Sequence, residues 1–138
     1  MDQFAAYSHA IVALAAFALL GLAINPIGAA MKPAQGVTAG ALPPPDYGNS
    51  TYRWSRAYQN AAEMAGLFAA VTLAAILAGA DPFWTNLFAS VFFLSRILVL
   101  VVHVAGIGKE NLGARTLIFV VGWLCCLALG VMALLAAF

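Results

Sequence analysis

Between Asp2 and Lys32 no residue carries a formal charge. Such a run exceeds the ~20 apolar residues that take a helix across a bilayer. In water it would expose more apolar surface than a small domain can cover. The whole chain shares this character, with 64% of its 138 residues hydrophobic and 8% charged, about a third of the charge a soluble domain carries. Its solvent is therefore lipid. Six Lys or Arg against five Asp or Glu leave a net charge of +1, too weak a field to attract nucleic acid. The two cysteines, Cys125 and Cys126, are adjacent in an apolar run with no second pair and no nearby histidine, which excludes a disulfide framework and a zinc site.

Hydropathy and turn residues predict an all-α bundle of four transmembrane helices, at about residues 4–30, 51–79, 82–107 and 114–137, in one domain over residues 1–138. The first segment lacks the basic start of a signal peptide and outruns the usual ~15-residue apolar region, so it reads as a permanent helix, bent at Asn25-Pro26. Residues 31–50 hold four of the six prolines, with Gly36, Gly40 and Gly48, and form a loop. Ser50 or Thr51 is the expected cap of the second helix, and Asp81-Pro82 starts the third. Asn49-Ser50-Thr51 matches a glycosylation sequon, a common accident. Lys32, Arg53 and Arg56 flank the first loop and Lys109 and Arg115 the third, whereas the second has only Asp81. Positive charge marks the cytoplasmic side, so both termini are expected on the opposite side.

Arg53, Arg56, Asn60 and Glu63 are spaced by three, four and three residues, which puts them within an arc of about 80° on one helix. Arginines at the start of this stripe can snorkel to headgroups. Glu63 lies three turns in, where a lipid-facing carboxylate costs several kcal/mol unless paired or protonated. Arg96 sits near the middle of the third helix and faces the same penalty, at least ~2.5 kcal/mol. Glu63 is the acidic residue at comparable depth, so the expectation is a buried structural pair of Arg96 and Glu63. His103, seven residues beyond Arg96, shares its face. Arg115 opens the fourth helix from the same side of the membrane. Together these groups can form a cationic pocket walled by apolar helices, suited to an anionic ligand beside a lipophilic one.

The segment from Arg53 to Glu63 resembles the helix 2 signature R-x-x-R-A-x-x-N-x-x-E of the membrane-associated proteins in eicosanoid and glutathione metabolism, the MAPEG family. Arg53, Arg56, Ala57, Asn60 and Glu63 fill all its fixed positions. The proline-rich first loop, Arg96 in helix 3, and Arg115 followed by Gly122-Trp123 extend the likeness over nearly the whole chain. The resemblance implies a homotrimer, of bacterial type and in the bacterial inner membrane, with glutathione bound between subunits as co-substrate and activated as thiolate. By position, Arg56, Asn60 and Glu63 belong to the glutathione site, with Arg53, Gln59 and Thr116 beside them. Arg115 holds the thiolate and His103 is the second catalytic candidate. The implied activity is that of a glutathione transferase or peroxidase acting on a lipophilic electrophile or lipid hydroperoxide, the alternative being a non-catalytic lipid-binding or scaffold member. The chain departs from the pattern at Gln59, where a basic residue is often found, and at His103 and Phe119, where tyrosines are frequent. The third loop is longer than in the eukaryotic enzymes. A small four-helix exporter would want an acidic residue deep in helix 1, and there is none.

Overall fold

The computed structural model describes residues 2–38, 40–107 and 113–138. A 3-10 turn, Asp2–Tyr7, leads into α1 (Ser8–Met31), and a second short one (Pro33–Gln35) opens the first loop. The remaining helices are α2 (Ser50–Leu77), α3 (Pro82–Val104) and α4 (Ala114–Ala136). All four are long and apolar enough to cross a membrane. Helix α1 continues through Pro26. The third loop, with Lys109, lies outside the described residues.

Local chemistry explains the helix ends. Asn49 caps α2, one residue before the expected Ser50 or Thr51, because its Oδ1 accepts the Thr51 N–H at 2.8 Å. The same amide exchanges two hydrogen bonds with the Gln35 side chain, at 3.0 and 2.8 Å, and ties the two ends of the first loop together. Helices α2 and α3 both end earlier than hydropathy suggested. Gly79 and Gly106 adopt φ of +71° and +66°, and the Gly106 N–H bonds His103 O while the Ile107 N–H bonds Val102 O. This left-handed closure favours glycine and satisfies the last carbonyls. Asp81 caps α3 through Trp84 N–H at 3.1 Å, with Pro82 at its first turn.

Helices α2 and α3 form the middle of the bundle, each packing on both α1 and α4. Three phenylalanines, one from each of α1, α2 and α3, occupy its centre. Phe68 and Phe92 stack with centroids 3.9 Å apart, and Phe17 meets both edge-on at 5.8 and 5.1 Å. The outer faces keep large apolar residues such as Leu19, Leu77, Leu117 and Leu135 exposed, as lipid as solvent requires. At one end of the bundle, Tyr7 OH donates to Ala80 O at 2.6 Å. Asn86 of α3 there bonds both Ala6 O and the Ala10 N–H, capping an α1 first turn that has no cap of its own. The first loop, the end of α3 and the start of α4 meet at the opposite end.

Candidate functional site

At that opposite end α2, α3, α4 and the first loop enclose a cavity of about 260 Å³. Arg56, Asn60 and Glu63 enter from α2, His103 from α3, Arg115, Thr116 and Phe119 from α4, and Tyr47 from the loop. Six of the residues singled out from sequence therefore converge: Arg56, Asn60, Glu63, His103, Arg115 and Thr116.

Arg115 is buried, with its guanidinium 4.2 Å from the centre of the Tyr47 ring. Tyr47 meets Tyr52 edge-on at 5.2 Å, so it is held as well as holding. His103 is buried, and its Nδ1 lies 3.0 Å from Val99 O. A carbonyl only accepts, so Nδ1 carries the proton, and in the neutral ring Nε2 is left with the lone pair. Among the described residues that line the cavity, two guanidinium groups, from Arg56 and Arg115, stand beside one carboxylate, Glu63. The cavity wall therefore carries a positive balance among the described residues, with the His103 imidazole beside it.

Two residues of the predicted set sit elsewhere. Arg53 Nε donates to Val104 O at 3.1 Å, and its Nη1 to Tyr47 O and Gly48 O at 2.8 and 3.0 Å. It latches the loop onto the carbonyl end of α3, where a cation is favoured, and by fixing the loop it positions Tyr47. Gln59 accepts from Arg56 Nη1 at 2.8 Å and borders neighbouring cavities.

The expected Arg96 and Glu63 pair does not form within the subunit. Arg96 is 3% exposed and spends its donors on Phe119 O (Nη2, 2.8 Å), Asn60 Oδ1 (Nη1, 3.4 Å) and Ser95 Oγ (Nε, 3.3 Å). The Phe92 and Phe119 rings flank the guanidinium at 5.2 and 4.6 Å from their centres. Its partners are a carbonyl, an amide, a hydroxyl and two π faces. It reaches them because Gly122 leaves a gap in α4: a β-carbon there would lie 2.5 Å from Nη2 and collide with Ser95 Oγ. Glu63 points outward instead and is exposed at the rim. Arginine has no acceptor, so Asn60 must turn Oδ1 toward it, which leaves the Nδ2 donor for the cavity.

Tyr47 is the member that sequence reasoning missed. Its only signal was an aromatic residue between the prolines and the α2 cap, and nothing local connects it to Arg115, far along the chain.

Neither a curated protein nor a solved structure matches the chain. The profile of the MAPEG family matches residues 8–135. That match spans all four helices and includes every cavity residue, and the chain belongs to the MAPEG family.

Proposed function

We propose that this protein is a membrane-bound glutathione transferase-like enzyme that activates the tripeptide's thiol for attack on a lipophilic electrophile or lipid hydroperoxide. Family membership supports a membrane protein of glutathione or lipid metabolism. The observation that carries the finer reading is the convergence of Arg56, Asn60, Glu63, His103, Arg115 and Thr116 on one cavity.

In this reading Arg56 holds a glutathione carboxylate, Glu63 its amino group, and Asn60 Nδ2 a peptide carbonyl. Arg53 is committed to the loop and takes no part. Arg115, at the start of α4, faces the sulfur, and His103 Nε2 accepts the thiol proton. The thiolate then forms the C–S bond to the electrophilic carbon, either displacing a leaving group that departs with the bonding electron pair and takes up the proton, or adding to an activated double bond whose other carbon takes up the proton. With a hydroperoxide it attacks the terminal oxygen instead, breaking the O–O bond to release the lipid alcohol, which takes up the proton, and leaving a sulfenic acid that a second glutathione converts to disulfide with loss of water. Lowering a thiol pKa from about 8.5 to 6.5 needs roughly 2.7 kcal/mol. A guanidinium in a partly dry site, helped by the helix N-terminus, which adds about 0.3–1 kcal/mol when exposed, can supply this.

The working unit in this proposal is a homotrimer. Glu63 stands thirteen residues into α2 and is exposed in the single subunit, without an ion pair among the described residues. A carboxylate left against lipid there costs several kcal/mol, and a neighbouring copy would cover it and close the open side of the cavity.

The test is ultraviolet difference absorbance at the thiolate band, measured at neutral pH beside a glutathione binding isotherm. Wild type should show saturable thiolate. Arg115→Leu should lose most of that signal while binding falls less. Binding without thiolate in the wild type would make the protein a binding module, and a full signal in Arg115→Leu would transfer the activation to His103.

A further inference from the structure

The thiol chemistry described above leaves out Tyr47, yet this side chain lies beside both groups on which that chemistry depends. Arg115 Cζ stands 4.2 Å over the centre of its ring. The His103 ring is tilted against it, with centroids 6.4 Å apart. Arg115 belongs to the first turn of α4 and His103 to the last turn of α3, so one loop side chain links two helix ends. Arginine and histidine are both buried, and Tyr47 lines the cavity next to them.

Tyr47 is itself held from two directions. Tyr52 of α2 meets its ring edge-on at 5.2 Å. Its backbone is fixed by Arg53, whose Nη1 donates to Tyr47 O and Gly48 O while Nε donates to Val104 O. The Gly48 N–H also closes a turn on Asp46 Oδ1 at 2.8 Å, and the Asn49 N–H bonds Asp46 O at 3.0 Å. Little slack remains between the tyrosine and the α2 cap. The choice of an aromatic residue has a chemical reason. A ring face attracts a guanidinium without bringing an opposite charge. A carboxylate in the same place would hold it too, but would offset the field that favours a thiolate. The ring also covers the cation from water, and a charge in a drier setting acts more strongly on a nearby anion.

We propose that Tyr47 is a positioning residue for thiol activation: its ring seats the Arg115 guanidinium against the sulfur, and Arg53 acts on the reaction through Tyr47. This role rests on the reading of Arg115 as the group that faces the sulfur. Tyr47→Leu removes the ring face, whereas Tyr47→Phe keeps it. The other charged or titratable groups that line the cavity among the described residues, Arg56 and Glu63 of α2 and His103 of α3, are the same in both variants.

Two measurements on the full-length protein in phosphatidylcholine nanodiscs test this. The first uses no glutathione: phenylglyoxal modification of Arg115, followed by mass spectrometry, should quicken about tenfold in Tyr47→Leu and stay at the wild-type rate in Tyr47→Phe. The second titrates the bound thiol by its ultraviolet absorbance. Tyr47→Leu should raise the midpoint by about one pH unit, which is about tenfold less thiolate at any pH below it. Glutathione affinity measured below both midpoints should stay level, and Tyr47→Phe should leave the midpoint in place. Arg53→Leu should shift the midpoint in the same direction, and adding it to Tyr47→Leu should shift it no further, because the two act as one unit. A tyrosine that only braces the loop would not move the thiol. Unchanged Arg115 reactivity or an unchanged midpoint in Tyr47→Leu would therefore overturn the proposal. So would a Tyr47→Phe effect as large as that of Tyr47→Leu, which would assign the role to the hydroxyl. Wild-type protein that binds glutathione without a thiolate band would overturn the proposed function and this role together, so the two failures are read on different proteins.

Discussion

Replacing Gly122 with alanine should damage this protein although it adds a single methyl group. In a helix interior the change is ordinarily favourable by about 1 kcal/mol. At this position the new carbon falls 2.5 Å from Arg96 Nη2 and 3.1 Å from Cζ, and against Ser95 Oγ. Ser95 has little room to yield, because its hydroxyl donates to Phe92 O at 2.6 Å. The guanidinium must move instead, and the move stretches its 2.8 Å bond to Phe119 O and the longer one to Asn60. A hydrogen bond to a charged group contributes about 1.5–3 kcal/mol, and overpacking a fitted interior adds about 1–3 kcal/mol. After the propensity gain, the net loss is about 1.5–5 kcal/mol. Reversible unfolding of the detergent-solubilised protein by sodium dodecyl sulfate measures it, with Gly130→Ala as the control. At Gly130 the nearest atom to a new β-carbon is Val71 Cγ1 at 3.4 Å, so that variant should be neutral or slightly stabilised. Because Arg96 also turns Asn60, Gly122→Ala should weaken glutathione binding several-fold. A Gly122→Ala protein as stable as wild type would refute the idea that the gap at Gly122 seats Arg96.

Two further outcomes follow from the other contacts. Arg53→Leu removes three hydrogen bonds between the loop, Tyr47 and the end of α3; proteolysis within residues 31–49 should quicken at least tenfold while the midpoint of global unfolding moves by only a few degrees, and unchanged cleavage would show that the loop holds without the latch. Native mass spectrometry from mild detergent should show trimers, and Glu63→Lys, placing a cation where neighbouring copies are proposed to meet, should shift them toward monomers; a wild-type protein monomeric in both detergent and nanodiscs would count against the shared site.

The membrane class, the four spans and the polar stripe of α2 were legible in the residues themselves. The causes act locally: an uncharged run long enough to cross lipid, prolines and glycines that interrupt it, and a helical period that brings Arg56, Asn60 and Glu63 to one face. The convergence of that stripe with His103, Arg115 and Thr116 was also within reach, since alternating spans put the end of α3 and the start of α4 beside the start of α2. What each buried charge touches was not. The cost of Arg96 in lipid showed that it needs partners, but carboxylate, carbonyl and amide all answer that need, and the choice depends on where α3 crosses α4. Gly122 opens the gap at that crossing, so a backbone oxygen takes the place expected of Glu63. Tyr47 and Arg53 were decided the same way, by a loop that folds back over the end of α3. Sequence spacing carries the period of one helix; contacts between helices and across a loop depend on packing, and only the tertiary structure supplies that.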